Sequence, residues 1–247
     1  MVTSRELADI VGDALGIARE SAQLHLKTIR AAGEISFKGY GRAAAKMTPL
    51  DAARLVIAAL GSTFAKDSVN VLKRFAKLKP IGGRSRSTHE LESLLMRYIA
   101  ILPRPEEIPS HDMFEAVNAD YLPSPYEEGE EDAPYRNEVD PSRRRRRSAS
   151  RRLTEVALQL LEPVGADANK LPCYAIFRSV DEDGSSQVIV CGPDGEESAR
   201  GTEIPDLVSR YSDHRVFQVR ILKRRALVQI AAALKGIEGI EGVYGNG

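Results

Sequence analysis

The hydrophobic pattern of the first sixty residues predicts short amphipathic helices. A first helix begins after Thr3, whose spacing from Glu6 fits a capping box. It ends near Gly16, since glycine permits a left-handed turn. Its apolar positions recur at helical spacing, and they are Leu7, Ile10, Val11 and Ala14. A second helix is predicted from Arg19 to Ala32, and it stops at Gly33.

A helical wheel divides this second helix into an apolar and a cationic face. The apolar arc carries Ile17, Ala22, Leu24, Leu26 and Ile29. The other side carries Arg19, Gln23, Lys27 and Arg30, whose side chains are long and can donate hydrogen bonds. His25 lies near the apolar arc, so we interpret it as a packing residue rather than a ligand or a catalytic group.

After Gly33 the pattern changes to a period of two. Residues 34–38 alternate like a half-buried strand, and residues 43–47 can return as the partner strand after a turn with two glycines. Thr48 and Pro49 then begin a third helix, with Thr48 as its cap, which ends at Gly61.

Helix, short turn, helix and hairpin form the outline of a winged helix-turn-helix. Residues 3–48 resemble the winged-helix DNA-binding domains of bacterial and phage regulators. The resemblance rests on three strings, which are Glu6-Leu-Ala-Asp-Ile-Val, Leu15-Gly-Ile and Arg19-Glu-Ser-Ala-Gln-Leu-His-Leu-Lys-Thr-Ile-Arg-Ala-Ala-Gly-Glu-Ile. It covers about a fifth of the chain. The helix that usually precedes this motif is missing, and the helix after the wing can take over its packing role.

The resemblance implies that the second helix enters the major groove of DNA. By position, Arg19, Gln23 and Lys27 would contact base edges and Arg30 would contact phosphate. The wing would contribute Lys38, Tyr40, Arg42 and Lys46. A plain solvated helix face is the alternative for the first group, and an ordinary turn residue is the alternative for Tyr40.

Two more helices are predicted, from Lys66 to Leu78 and from Thr88 to Leu102. The second is apolar on more than one face, which favours burial or pairing with another helix. These helices either complete the core of the DNA-binding domain or form a dimer. We favour a dimer, because two half-sites raise affinity and specificity.

The C-terminal part shows a mixed pattern. We predict helices over Leu153–Leu161 and Lys223–Leu234, the latter ending at Gly236. Between them the alternation predicts strands over 173–180, 187–191 and 216–222. Cys173 and Cys191 are interpreted as two buried thiols, because no cluster of His or Cys accompanies them.

The charge is sorted along the chain although the net charge is zero. Residues 1–101 hold 16 basic and 9 acidic residues, and residues 102–141 hold 2 and 12. Residues 142–152 hold seven arginines and no acid, and residues 153–247 hold 10 basic and 14 acidic residues. Such blocks favour separate modules joined by a solvated linker. The predicted fold class is therefore α+β. It has a DNA-binding domain at 1–101, a disordered linker at 102–152 that is acidic and then arginine-rich, and a small α+β domain at 153–247.

The arginine run is expected to contact phosphate non-specifically, and it consists of Arg143, Arg144, Arg145, Arg146 and Arg147. Two alternatives remain open for this segment. It can pair within the chain with the acidic residues 127–132 and weaken non-specific DNA binding, or it can be a plain solvated linker.

Several classes of protein are excluded or disfavoured. No apolar stretch is long enough to span a membrane, and no secretion signal is visible at the N-terminus. Two cysteines cannot form a disulfide scaffold or a four-cysteine metal site. No phosphate-binding or dinucleotide motif occurs, so we expect no enzyme, catalytic residue, metal or cofactor. The expected location is the cytoplasm, in association with the nucleoid.

The leading hypothesis is a sequence-specific DNA-binding protein, a transcriptional regulator of bacterial or phage type. Its expected partners are double-stranded DNA, further copies of itself and a protein bound by the C-terminal domain, with no membrane. The alternative is a DNA-binding assembly protein, such as a small terminase-like packaging subunit of a phage or a replication or partition factor. A third hypothesis gives the winged helix a protein partner instead of DNA.

Overall fold

The structure is a computed structural model that describes residues 2–36, 46–81, 90–102, 153–164, 171–181, 186–193 and 217–237. These residues combine helices with one antiparallel sheet, which confirms the α+β class. The helices are α1 (Ser4–Leu15), α2 (Arg19–Ala31), α3 (Pro49–Gly61), α4 (Ser68–Ala76), α5 (Leu91–Ile101) and α6 (Arg224–Lys235). The strands are β1 (Lys79–Pro80), β2 (Leu153–Pro163), β3 (Tyr174–Asp181), β4 (Ser186–Gly192) and β5 (Phe217–Lys223). None of the described helices is both long and apolar enough to cross a membrane.

The first three helices confirm the sequence prediction. Thr3 caps α1 through a capping box, in which its backbone N–H donates to Glu6 Oε2 at 2.7 Å. Gly16 then takes a left-handed conformation with φ of 67°, which lets the chain turn directly into α2. A second capping box, formed by Thr48 and Asp51, begins α3. The sequence therefore sets these helix starts locally.

The strand predicted to begin the wing is wrong over residues 34–36. Their backbone groups bond to α3 instead of to a ladder. The Ser36 N–H donates to Asp51 Oδ1 at 3.1 Å, and the Glu34 carbonyl accepts from Arg54 Nη1 at 2.6 Å. Residues 37–45, which carry Lys38, Tyr40 and Arg42, lie outside the described residues.

The helix predicted over Leu153–Leu161 is also wrong, because this segment forms strand β2. Both edges of β2 are paired, with β3 on one side and β5 on the other. Val156, Leu158 and Leu160 are buried at every second position, which is the period of a strand. The Leu, Ala, Gln and Glu residues in this segment favour helices, but the pairing and burial of the sheet override that propensity.

The other C-terminal elements confirm the prediction. The three predicted strands are present as β3, β4 and β5, and α6 ends at Gly236 with φ of 69°. The helix expected over Lys66–Leu78 is shorter, since a 3₁₀ turn over Ala65–Asp67 precedes α4. Residues 103–152, which include the predicted linker and Arg143, Arg144, Arg145, Arg146 and Arg147, lie outside the described residues.

The sheet joins the two ends of the chain. Its strand order is β1-β4-β3-β2-β5, and all neighbours are antiparallel. Strand β1 comes from the N-terminal part of the chain but pairs with β4, with Pro80 opposite Cys191. The Ile81 N–H extends this contact by donating to the Val190 carbonyl at 2.8 Å.

One hydrophobic core lies between the helices and one face of the sheet. Its buried residues come from α1 to α5, from α6 and from strands β2 to β5. Helix α6 packs against α1, α3 and α5, and Tyr98 of α5 stacks on Phe177 of β3 with ring centroids 4.4 Å apart. The segments predicted as two domains therefore share a core, in which α2 packs against α1, α3 and α4.

Gly61 allows the closest approach within this core. A Cβ atom at this position would collide with Cγ1 of Val71 on α4. Valine is branched at Cβ and cannot turn away easily. We predict that Gly61→Ala lowers the free energy of unfolding by about 1–3 kcal/mol, as overpacking does.

Urea unfolding followed by circular dichroism measures this effect. Gly12→Ala is the matched control, because Gly12 is also helical but its added Cβ would lie 3.3 Å from its nearest neighbours. The cost at Gly61 should exceed the cost at Gly12, and equal costs would contradict the close approach.

Candidate nucleic-acid interface and the polar residues behind it

The predicted DNA-contacting side of α2 forms a polar seam with α1. Arg19 makes two hydrogen bonds to the Asp13 carboxylate, at 2.9 and 2.8 Å. Gln23 donates to Asp9 Oδ1 at 2.6 Å. Arg30, at the other end of α2, lies 3.5 Å from the hydroxyl of Ser4. Three of the four predicted helix residues, Arg19, Gln23 and Arg30, thus lie on the side of α2 that contacts α1, and each of them contacts a residue of α1.

This seam changes what Arg19 and Gln23 can do. The Asp13 carboxylate raises the pKa of Arg19, first by hydrogen bonding and then by its charge. The Arg19 and Asp13 side chains are 61% and 55% exposed, so water weakens their attraction. A phosphate group can therefore replace Asp13 as the partner of Arg19. Contacts of Arg19 and Gln23 with base edges would require both side chains to leave the seam.

The open face of α2 lies beside the seam, at Glu20, Leu24, Lys27 and Ala31, which are all exposed. Leu24 is 54% exposed, so its predicted place on the buried arc is wrong. On the wheel it falls about 165° from the centre of the buried arc that Ala22, Leu26 and Ile29 form. Lys27 projects outward as predicted, and Lys46 is also exposed.

His25 is buried on the side of α2 that faces the core, as the sequence predicted, and it is only 1% exposed. Its Nδ1 lies 2.7 Å from the Ser68 hydroxyl and 3.4 Å from the Ser62 hydroxyl. Burial lowers the pKa of His25, and the positive charge of Arg220 lowers it further. The ring is therefore neutral at neutral pH.

The hydrogen bonds of the two serines define what this group can do. Ser62 donates its proton to the Ala58 carbonyl and Ser68 donates to the Ala65 carbonyl, each at 2.7 Å. Both hydroxyl oxygens are thus left as acceptors, so Nδ1 of His25 carries the proton. A histidine that activates serine must accept the serine's proton, and this arrangement has the opposite polarity. It ties α2 to α3 and α4.

Arg220 of β5 stands next to this group and binds the end of α3. Its Nη1 donates to the Leu60 carbonyl at 2.6 Å, and its Nη2 donates to Thr63 Oγ1 at 2.7 Å. Leu60 lies in the last turn of α3, where carbonyls lack helical partners and favour a cation. Two cavities, of about 270 and 480 Å³, both border Ser62, Thr63 and Arg220.

The two cysteines are buried free thiols, as predicted. Burial raises the pKa of Cys173 to about 11 and that of Cys191 to about 12. A thiol with such a pKa stays protonated and is a poor nucleophile or metal ligand at neutral pH. Among the described residues there is no cluster of three or more His, Cys, Asp or Glu that could hold a metal ion.

The sequence patterns did not point to Arg220 and Glu162, two of the four charged residues at the 270 Å³ cavity. Glu162 directly follows the segment Leu153–Leu161, which was wrongly predicted as a helix, and Arg220 lies in a segment that the pattern predicted as an ordinary strand. The only sequence signal for this cluster was the presence of charged residues within segments that alternate like strands.

No family model, curated protein or solved structure matches the chain.

The buried neutral His25 predicts a pH dependence of stability. Its pKa in the folded protein lies below the usual value of 6.5. The stabilisation is therefore fully present above about pH 6.5 and is lost as the pH falls towards the folded-state pKa. We expect the free energy of unfolding to fall between pH 6.5 and 5, because the unfolded chain binds the proton more tightly.

Urea unfolding at pH 7.5, 6.5, 5.5 and 5 measures this loss. His25→Gln is the comparison, since glutamine can donate a hydrogen bond but does not titrate. Its stability should depend less on pH over this interval. Identical slopes for the two proteins would contradict the assignment to His25.

Proposed function

We propose that this chain binds double-stranded DNA through α2, as a sequence-specific regulator of bacterial or phage type. The observation that supports this best is the arrangement of α1 and α2, two packed helices joined at Gly16, with one face of α2 left open. In a helix-turn-helix this face of the second helix enters the major groove. Lys27 in its centre supplies a phosphate or base contact.

The open face suggests a different set of base contacts from the one the sequence predicted. Glu20 can accept from the amino group of cytosine, and Leu24 can pack on the methyl group of thymine. Lys27 can donate to guanine or to phosphate. Arg19 and Arg30 flank this set at the seam with α1, where contacts to the phosphate backbone fit their position and charge.

The acidic residues of the seam oppose DNA binding. Asp9 and Asp13 lie on the same side as Gln23 and Arg19, and a carboxylate near a phosphate is repelled. DNA must therefore compete with Asp13 for Arg19. This competition makes binding depend on the displacement of a surface ion pair, which costs little because water already screens the attraction between the two charges.

A protein partner for α2 is the second candidate, and Leu24 favours it. A large apolar side chain in the middle of an open helix face is typical of helix-mediated protein contacts as well as of DNA contacts. In that case Arg19 and Arg30 would serve only the contacts with α1. A DNA-binding assembly protein would use the same surface as the regulator, and a ring-sized mass in solution instead of a dimer would favour it.

Selection of the full-length protein against a random duplex pool at fixed salt tests the proposed function. A sharp enriched motif is expected, and a palindrome would show a dimer. Lys27→Gln should weaken binding and, if Lys27 contacts phosphate, reduce the slope of log K against log salt by about 1. Fluorescence anisotropy on the selected duplex measures both quantities.

The acidic seam provides the matched pair of variants. Asp13→Asn should strengthen DNA binding, because it releases Arg19 and removes a repelled charge. Glu90→Gln removes the same charge just before α5, away from α2, and should leave affinity nearly unchanged. Equal effects of the two variants would refute a role for Arg19, and no salt-dependent binding at all would favour the protein partner.

A further inference from the structure

A small polar cavity of about 270 Å³ lies where the end of α3 meets the edge of the sheet. Strand β5, at that edge, and the neighbouring β2 form one wall, and the start of α4 forms another. Its charged lining residues are Asp67, Arg74, Glu162 and Arg220. Two arginines and two acidic residues thus border one partly open volume.

Arg220 brings an unpaired positive charge to this cavity. All the acceptors that its hydrogen bonds reach are neutral, namely the Leu60 carbonyl, Thr63 Oγ1 and Gln218 Oε1. Among the described residues, Arg220 takes part in none of the ion pairs found within 4.0 Å. Burial lowers the pKa of Arg220, which shows that the charge is partly withdrawn from water. A partly buried charge that makes no ion pair is costly, and an anion in the cavity would offset that cost.

Glu162 brings the complementary group. Its Oε2 atom is buried and has no hydrogen-bond partner in the described structure. Burial raises the pKa of Glu162, the charges of Arg74 and Arg220 oppose this rise, and the charge of Asp67 adds to it. A buried carboxylate oxygen without a donor is unusual, because buried polar groups are nearly always bonded. A donor in the cavity, best a positively charged one, would satisfy it.

The sheet holds these two groups on one face without letting them meet. Glu162 of β2 is opposite Gln218 of β5, and Arg220 follows Gln218 two residues later on the same face. Gln218 Oε1 accepts from Arg220 Nη2 at 2.7 Å. The contacts to Thr63 and Leu60 draw the guanidinium towards α3. Glu162 and Arg220 therefore interact through their charges but form no ion pair.

We propose that this cavity binds a small zwitterion, an α-amino acid, with its carboxylate on Arg220 and its ammonium group on Glu162. Such a ligand supplies both missing partners at once. The volume fits an amino acid with a small or medium side chain, and it is below the usual range of pockets for drug-sized molecules. Ser62, Thr63 and Asn70 add neutral hydrogen-bonding groups around the two charged ends.

The site is connected to α2 through Arg220. This arginine also borders the larger cavity, which His25 and Ser21 of α2 line. Its charge lowers the pKa of His25, so neutralising it with a bound carboxylate should raise that pKa. Ligand binding itself does not depend on the proposed DNA-binding function, and the two are tested separately.

Calorimetric titration of the full-length protein with each of the twenty amino acids at millimolar concentration tests the proposal. At least one should bind, and its two halves, the matching carboxylic acid and the matching amine, should each bind at least tenfold more weakly. Glu162→Gln and Arg220→Gln should each weaken binding at least tenfold. Arg97→Gln, on the exposed part of α5, is the control and should bind like the natural protein.

Each outcome supports or overturns the site. Thermal unfolding of both cavity variants identifies any loss that comes from misfolding, and Glu162→Gln keeps the shape of the side chain if Arg220→Gln fails to fold. Binding that survives Glu162→Gln, or a carboxylic acid that binds as well as the amino acid, overturns the zwitterion. No binding by any of the twenty overturns the proposal, whatever the result with DNA.

Discussion

The packing of α6 against α1, α3 and α5 is the constraint on which the rest of the structure depends. It places the last described helix among the first helices of the chain, so neither end can complete its core alone. Strand β1 adds to this by joining the sheet from the N-terminal side. Burial of one continuous apolar cluster is the dominant favourable term in such a fold. Helix α2 packs against its neighbour α1 and against α3 and α4, so its orientation depends on this shared core.

This constraint gives the two sides of α2 different roles. Towards the core, His25 is fixed by Ser62 and Ser68, which lie at the end of α3 and the start of α4. Towards α1, Arg19 is held by Asp13 in an exposed pair that a competing anion can replace. The buried side therefore fixes the position of α2, while the side chains at the seam with α1 can change partners.

Local chemistry made part of this predictable from the sequence. The capping boxes at Thr3 and Thr48 and the left-handed glycine at position 16 act within a few residues, so their patterns predicted α1 and α3 correctly. Strand β2 was missed because its leucines suit a helix, and only pairing with β3 and β5 makes it a strand. The seam was missed because a helical wheel shows one helix and cannot show Asp9 and Asp13 on its neighbour. The cavity at Arg220 combines residues that are far apart in the chain, and charged residues within strands do not show by themselves that they meet in the fold.

Native-state hydrogen exchange tests the shared core most directly, because it reports the free energy of opening for each amide. If α1, α3 and α6 form one core with the sheet, their slowest amides should exchange with the same free energy as those of β2 and β3. All should respond equally to added urea, which is the signature of a single cooperative unit. Exchange of the first three helices at a clearly lower free energy than the sheet would show two independent modules and would contradict the account.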